Sequence, residues 1–378
     1  MTMQQEIDDP RLLAWAYLSK VVQGPCAPLT ELIEKVGPQE AARAVRERDL
    51  SEYLGERTVA RAHVDSAVED LRALSEMGGR LVTPDDDEWP RWRMLAFDGL
   101  GHSRADGPPL ALWVVGSRSL GELTERSISV VGTRAASGYG EHVTAEIAGD
   151  LALDGWTIVS GAAFGIDGAA HRAALGVGGL TIAVLACGVD RAYPAGHARL
   201  LRQISQNGLV VSEYPPGTTP AKHRFLARNR LVAALSDGVV VVEAGWRSGA
   251  RNTATWGRRM SRPVMAVPGP VTSASSAGCN RMIREGEARL VARAVDVVEE
   301  AGPIGLADTE DDTVARDTDS LDGNALLVHE ALPTRGFRSV PEVSVESGVP
   351  IAIVRSMLAQ LELDGFAVPC QDGWMRSR

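Results

Sequence analysis

The chain has 378 residues, a formal net charge of −10, 44% hydrophobic residues and four cysteines. That length suits two or three domains with a sizeable core, no apolar run approaches the roughly 20 residues of a bilayer span, and the acidic start MTMQQEIDDP excludes a secretory signal. Cys26, Cys187, Cys279 and Cys370 lie far apart with no C-x-x-C pair, so the expectation is a cytoplasmic protein without metal, cofactor or disulfide framework.

In chain order, residues 10–76 read as helices: RLLAWAYLSKV, LTELIEKVG, EAARAVRERD and a longer one near 58–76. They define a small helical domain over 1–79. Between 80 and 126, LALWVVGS reads as an extra strand for the sheet that follows. From 127 to 300 strands and helices alternate. SISVVG precedes a helix near 139–153, WTIVSG one from Asp167 to Leu175, TIAVLACG one near 197–206, and GLVVSEY one near 228–236. DGVVVVEA precedes a helix near 252–260, RPVMAVPG one near 279–286, and ARLV closes the series. These strands are continuous apolar runs, the mark of a parallel sheet covered on both faces. The expected fold is a doubly wound α/β domain over 80–300, with ligands at the carboxyl ends of its strands. Residues 301–320 are acidic, small and poor in apolar groups, and read as a flexible linker. Residues 321–378 read as three helices and a hairpin turning at Asp372-Gly373, a winged-helix plan. Its third helix carries only Arg355 as a cation, which favours partner binding or self-association over duplex reading.

Charge is unevenly spread. Over 127–300 cations outnumber carboxylates 18 to 14, and 17 of those cations are arginine, the residue suited to bidentate phosphate contacts. Both flanks are acidic, each at −7. The arginines gather at strand ends. In SISVVGTRAASGYG the run stops at Gly132, and a loop with Arg134 and Gly138 leads into a helix. Backbone N–H groups and the helix dipole make such a turn an anion site, and glycine admits close approach. An ordinary βα turn with a solvated arginine is the plain alternative. SGAAFGIDGAAH offers a permissive loop at Gly161, Asp167 as a helix cap, and His171 one turn on, where a structural histidine is commoner than a catalytic one. No carboxylate ends this second strand, so a nicotinamide cofactor is disfavoured.

SEYPPGTTPAKHRFLARNRLVAALS carries Lys222 in a loop, and Arg228-Asn229-Arg230 opens a helix. Cations at a helix start oppose its dipole, which makes sense if an anion binds between them. The alternative is pairing with a local carboxylate such as Glu213 or Glu243. In GWRSGARNTATW, Ser248, Gly249 and Thr253 form a hydroxyl-rich helix start flanked by Arg247 and Arg251. Trp246, in a loop, is a candidate stacking platform, whereas Trp256 reads as core. No nucleophile elbow, zinc motif or nucleoside-triphosphate loop is present, and Asp167, Asp190, Glu213 and Glu243 have no identified catalytic partner. The chain reads as a binding protein and not an enzyme.

GTRAASGYG, SGAAFGIDGAAH, RNRLVAALSDGVVVVEA, RSGARNTATWGRRMSRPVMAVPG and GCNRMIREGEARLV, in that order over about 127–292, resemble the bacterial DNA processing protein A family (DprA, also called Smf). The resemblance implies an extended Rossmann-like, mostly parallel fold that binds single-stranded DNA, forms a homodimer and loads the RecA recombinase in natural transformation. It implies phosphate contacts by Arg134 and Ser137, by Arg228, Asn229 and Arg230, and by Ser248, Gly249 and Thr253, with Arg191, His197 and Arg199 as further basic candidates. It also implies an N-terminal helical domain of sterile-alpha-motif or helix-hairpin-helix type. Arg251 and Asn252 stand where relatives have smaller or apolar residues. The rival reading is a nucleotide or phosphosugar hydrolase of the phosphoribohydrolase type, but the comparable loop GWRSGARNTA lacks that group's paired glycines and glutamate.

Overall fold

The computed structural model describes residues 8–100, 107–246, 248–302, 321 and 323–377, in two compact units, Met1–Ala307 and Asp308–Arg378. The site candidate Arg247 and residues 303–320 of the expected linker lie outside the described residues.

The first unit opens with helices α1 (Pro10–Val22), α2 (Ala27–Glu47), α3 (Glu52–Thr58) and α4 (Ala67–Glu76). Asp9 caps α1 by accepting the Arg11 N–H, and Pro10 sits at the first helical position, where its missing donor costs nothing. LTELIEKVG and EAARAVRERD are halves of α2, which meet at a kink where Gly37 takes φ 83° before Pro38. The expected helix near 58–76 begins only at Ala67, and the unexpected α3 precedes it.

The strands are β1 (Gly79–Val82), β2 (Leu112–Val115), β3 (Ser127–Val131), β4 (Thr157–Ser160), β5 (Thr181–Leu185), β6 (Leu209–Ser212), β7 (Gly238–Val241), β8 (Val264–Ala266) and β9 (Arg289–Leu290). They form one nine-stranded sheet in the order β1-β2-β6-β5-β4-β3-β7-β8-β9, parallel from β6 through β9, with β1 and β2 antiparallel at one edge. The helices that position the site are α5 (Arg91–Met94), α6 (Leu120–Glu125), α7 (Gly138–Leu153), α8 (Ile166–Gly176), α9 (Ala198–Asn207), α10 (Lys222–Ala234) and α11 (Ala250–Arg259), followed by α12 (Ala277–Arg284) and α13 (Ala294–Ala301).

Alternate residues of each central strand feed opposite cores, which is why the runs are apolar throughout. Ile128 and Val130 pack with Val143, Ile147 and Leu151 of α7. Val131, Val239 and Val241 pack on the other face with Leu231 of α10 and Ala254 and Trp256 of α11. The α1–α4 cluster runs onto Leu81 and Trp113 of the antiparallel edge, so these helices bury their apolar faces against the sheet's extension. The fully buried Arg93 clamps this extension to the sheet. It donates to Asp237 through two nitrogens, at 2.8 and 2.7 Å, and to the carbonyl of Thr124.

The second unit holds α14 (Gly323–Ala331), α15 (Val340–Ser347), α16 (Ile351–Leu363) and the hairpin β10 (Ala367–Cys370)–β11 (Gly373–Arg376) around Val328, Val343, Val354, Leu358 and Leu361. Ser339 and Glu342 form a capping box, and Gly348 ends α15 in the left-handed conformation. The hairpin turns at Gln371-Asp372, one residue before the expected dipeptide. Gly373 pairs with Cys370, and a Cβ there would lie 2.3 Å from the Arg338 carbonyl oxygen. No described helix is long and apolar enough to cross a membrane.

Candidate nucleic-acid interface

Strands β3 and β7 are neighbours whose following helices, α7 and α11, leave for opposite faces of the sheet. Such a switch point opens a crevice at the carboxyl ends of the strands. A groove of about 920 Å³ lies there, lined by Gly132, Thr133 and Arg134 after β3, Gly161, Ala163 and Asp167 after β4, Tyr193 after β5, Lys222, Phe225, Arg228 and Asn229 of α10, and Gly245, Ser248, Gly249 and Thr253 before and within α11.

Helix α10 starts at Lys222, six residues earlier than Arg228, so the expectation that Arg228-Asn229-Arg230 opens a helix is corrected. Tertiary packing of Leu231 and Val232 holds α10, and no carboxylate in its first turn offsets the dipole against Lys222 and Arg224. Being mid-helix, residues 228 and 230 point in different directions. Arg228 reaches the groove floor, 4% exposed, and donates to the Val184 carbonyl, while its Nε–H has no partner. Gly161 makes room for it, since a Cβ there would lie 2.1 Å from the guanidinium. Arg230 is fully buried instead, donates to Glu213, and does not line the groove; the carboxylate partnership weighed for this pair holds for Arg230.

Asp167 lies beside Arg228 on the floor, 6% exposed. Gly165 (φ 75°), not Asp167, is the N-cap residue of α8, and Asp167 accepts from the Ala163 N–H at 3.4 Å. Burial pushes its carboxyl above the usual range, with the Arg228 charge and backbone N–H groups pulling the other way. His171 does not meet Asp167. Its Nδ1 lies 2.7 Å from the Thr181 hydroxyl, which itself donates to the Ile158 carbonyl, so the Nδ1 proton faces Thr181.

The anion site expected at the N-terminus of α7 is filled from within. Glu243, 1% exposed, accepts from the Ser137 N–H at 2.9 Å, the Ser137 hydroxyl at 2.6 Å and the Ser275 hydroxyl at 2.8 Å. Ser137 therefore faces this carboxylate, and neither it nor the exposed Gly138 lines the groove, whereas Gly132 and Arg134 do. Arg134 is exposed, with its guanidinium 5.2 Å from the centre of the Phe225 ring, and Phe225 lies 5.3 Å from Tyr193. On the far wall Asn229 donates to Asn252 at 3.2 Å, Thr253 is buried, and Ser248 and Gly249 lead into α11. Trp246 is 57% exposed with Arg281 4.3 Å over its ring, and Trp256 is core. Arg251 is drawn toward Glu287, at 3.6 Å. Arg191 (3.9 Å from Asp190) and Arg199 are exposed outside the groove, and His197 is buried against the Ala162 carbonyl.

A family profile described as DNA recombination-mediator protein A matches residues 80–302. The chain belongs to the DNA recombination-mediator protein A family. A DprA-named protein of Mycobacterium tuberculosis is 52% identical over 97% of this chain and 95% of its own length. Protein Smf of Escherichia coli is 38% identical over 81% of this chain and 79% of its own. The X-ray structure of DNA processing protein A from Streptococcus pneumoniae is similar at TM-score 0.61 and 30% identity, covering 80% of this chain and 98% of that one. The profile spans the whole groove of this recombination-mediator chain. Sequence reasoning missed Tyr193, Phe225 and the floor position of Asp167. The signal for Phe225 was its place three residues after Lys222, one helical turn along α10, visible only once α10 is known to start at Lys222.

Proposed function

We propose that this recombination mediator holds single-stranded DNA in the groove without cleaving it. Arg134, Lys222 and the wall formed by Asn229, Ser248, Gly249 and Thr253 take the phosphates, and the buried Arg228 charge sets the potential of the floor. Phe225 and Tyr193, with Trp246 beyond, offer ring faces to unpaired bases. The observation that carries the reading is the Arg134–Phe225–Tyr193 row on the rim, which places a cation and stacking surfaces side by side at the switch point. Asp167 is the only carboxylate among the lining residues, and the loop GWRSGARNTA supplies no glutamate beside it, which disfavours the hydrolase reading.

The finer reading includes homodimer formation, loading of the RecA recombinase in natural transformation, and cytoplasmic residence. It also includes a four-part plan: helical domain 1–79, DNA-binding domain 80–300, linker 301–320 and winged-helix domain 321–378. Competition tests the core of it. Unlabelled single strand should displace a labelled oligothymidine at least tenfold better than duplex of the same length and salt; equal displacement would contradict the stacking component.

A further inference from the structure

Three guanidinium groups converge on the end of α1 and the short turn that leads to α2, residues 21–26. Arg61 donates to the Val21 carbonyl at 2.7 Å and the Val22 carbonyl at 3.1 Å. Arg57 donates to the Pro25 carbonyl at 3.2 Å, and Arg224 donates to the Gln23 side-chain oxygen at 3.0 Å. None of the three meets a carboxylate among the described residues. Each keeps part of its surface in water. Three like charges anchored on neutral acceptors repel one another, and burial and the neighbouring arginines together press the Arg61 charge. The Val21 and Val22 carbonyls end α1, where a cation also complements the helix dipole, but the three charges together exceed what one helix end needs.

The cluster borders the groove. Arg224 is the chain neighbour of Phe225, and the first turn of α10 carries Lys222, His223 and Arg224 with no acidic residue. A helix N-terminus that gathers positive side chains is stabilised when an anion lies over it. We infer that the α1–α2 turn and the start of α10 form a second phosphate station, where Arg57, Arg61 and Arg224 hold the backbone of a single strand leaving the groove past Phe225. The acidic N-terminal helices thereby contribute a local basic face. This rests on the groove reading for the strand's path, and its test separates the two.

Fluorescence anisotropy on the full chain compares a short oligothymidine that only fills the groove with one about ten nucleotides longer. Wild type should bind the longer strand roughly tenfold better. In Arg57→Gln/Arg224→Gln this gain should fall below threefold, short-strand affinity should hold within twofold, and the long-strand salt slope should flatten by about 1.4, two single-strand contacts at about 0.7 each. Arg57→Lys/Arg224→Lys should keep most of the gain; loss equal to that in the glutamine variant would overturn phosphate binding in favour of packing. An unchanged gain in the glutamine variant overturns the station, whereas wild type failing to bind the short strand overturns the groove reading instead. If the variants fail to fold, 4-thiothymidine placed at each position of the long strand reports on wild type. Cross-links to the peptide holding Arg57 and Arg61 support the station, and cross-links confined to groove peptides overturn it.

Discussion

Arg230→Ala separates structural arginines from those proposed to hold DNA. Arg230 is fully buried, Glu213 is 3% exposed, and the two form an ion pair. Removing the guanidinium leaves a carboxylate buried without its counter-charge, which costs about 3–5 kcal/mol. At a urea slope of about 3 kcal/mol/M, the midpoint of the sheet unit falls by roughly 1–1.7 M. The pair is incompletely satisfied, since Glu213 Oε2 and Arg230 Nε and Nη1 have no partners. Replacing both, as Arg230→Met with Glu213→Leu, should therefore recover most of the loss or exceed wild type. Urea unfolding followed by tryptophan fluorescence measures this, and oligothymidine affinity is read on the folded protein. Expected is a large stability loss with affinity within threefold. A stability loss under about 1 kcal/mol with affinity down more than tenfold would refute the buried placement of Arg230 as its role.

Two further outcomes follow from the same physics. Burial lowers the His171 pKa to about 3. Below the unfolded value of about 6.5 the unfolded chain binds the extra proton, so this contribution is complete above pH 6.5 and declines toward pH 3, by about 3 kcal/mol at pH 4.5. Urea midpoints between pH 4.5 and 7.5 should fall more steeply with acid in wild type than in His171→Asn; parallel curves would contradict the buried neutral imidazole. Deleting 321–378 should leave oligothymidine affinity within a few-fold, because the groove lies wholly in the other unit; a loss beyond tenfold would place DNA contacts in the second unit.

Much of the α/β unit was legible because a sheet buried on both faces writes itself as continuous apolar runs, such as GVVV of β7. Gly132, Gly161 and Arg134 stood out as groove residues for the same reason, since short-range turn chemistry places them after strand ends. What escaped depends on distant partners. Ser137 looked free to bind an anion because Glu243, which fills that position, is 106 residues away. Arg228 and Arg230 looked equivalent, yet the helix turns one onto the groove floor and the other onto Glu213. The start of α10 was lost in TTPAKH because its cations oppose a helix start, and packing of Leu231 and Val232 overrides that local preference. The row formed by Arg134, Phe225 and Tyr193 unites three separate loops and helices that no local pattern connects.

The proposed function gives the exposed Arg134 the largest share in holding a strand, and a salt titration of oligothymidine anisotropy for wild type and Arg134→Ala tests it most directly. Loss of one charged hydrogen bond, about 1.5–3 kcal/mol, should weaken binding about 10- to 150-fold and flatten the salt slope by about 0.7, with the urea midpoint unchanged. Equal affinities and equal slopes for the two proteins would contradict the account.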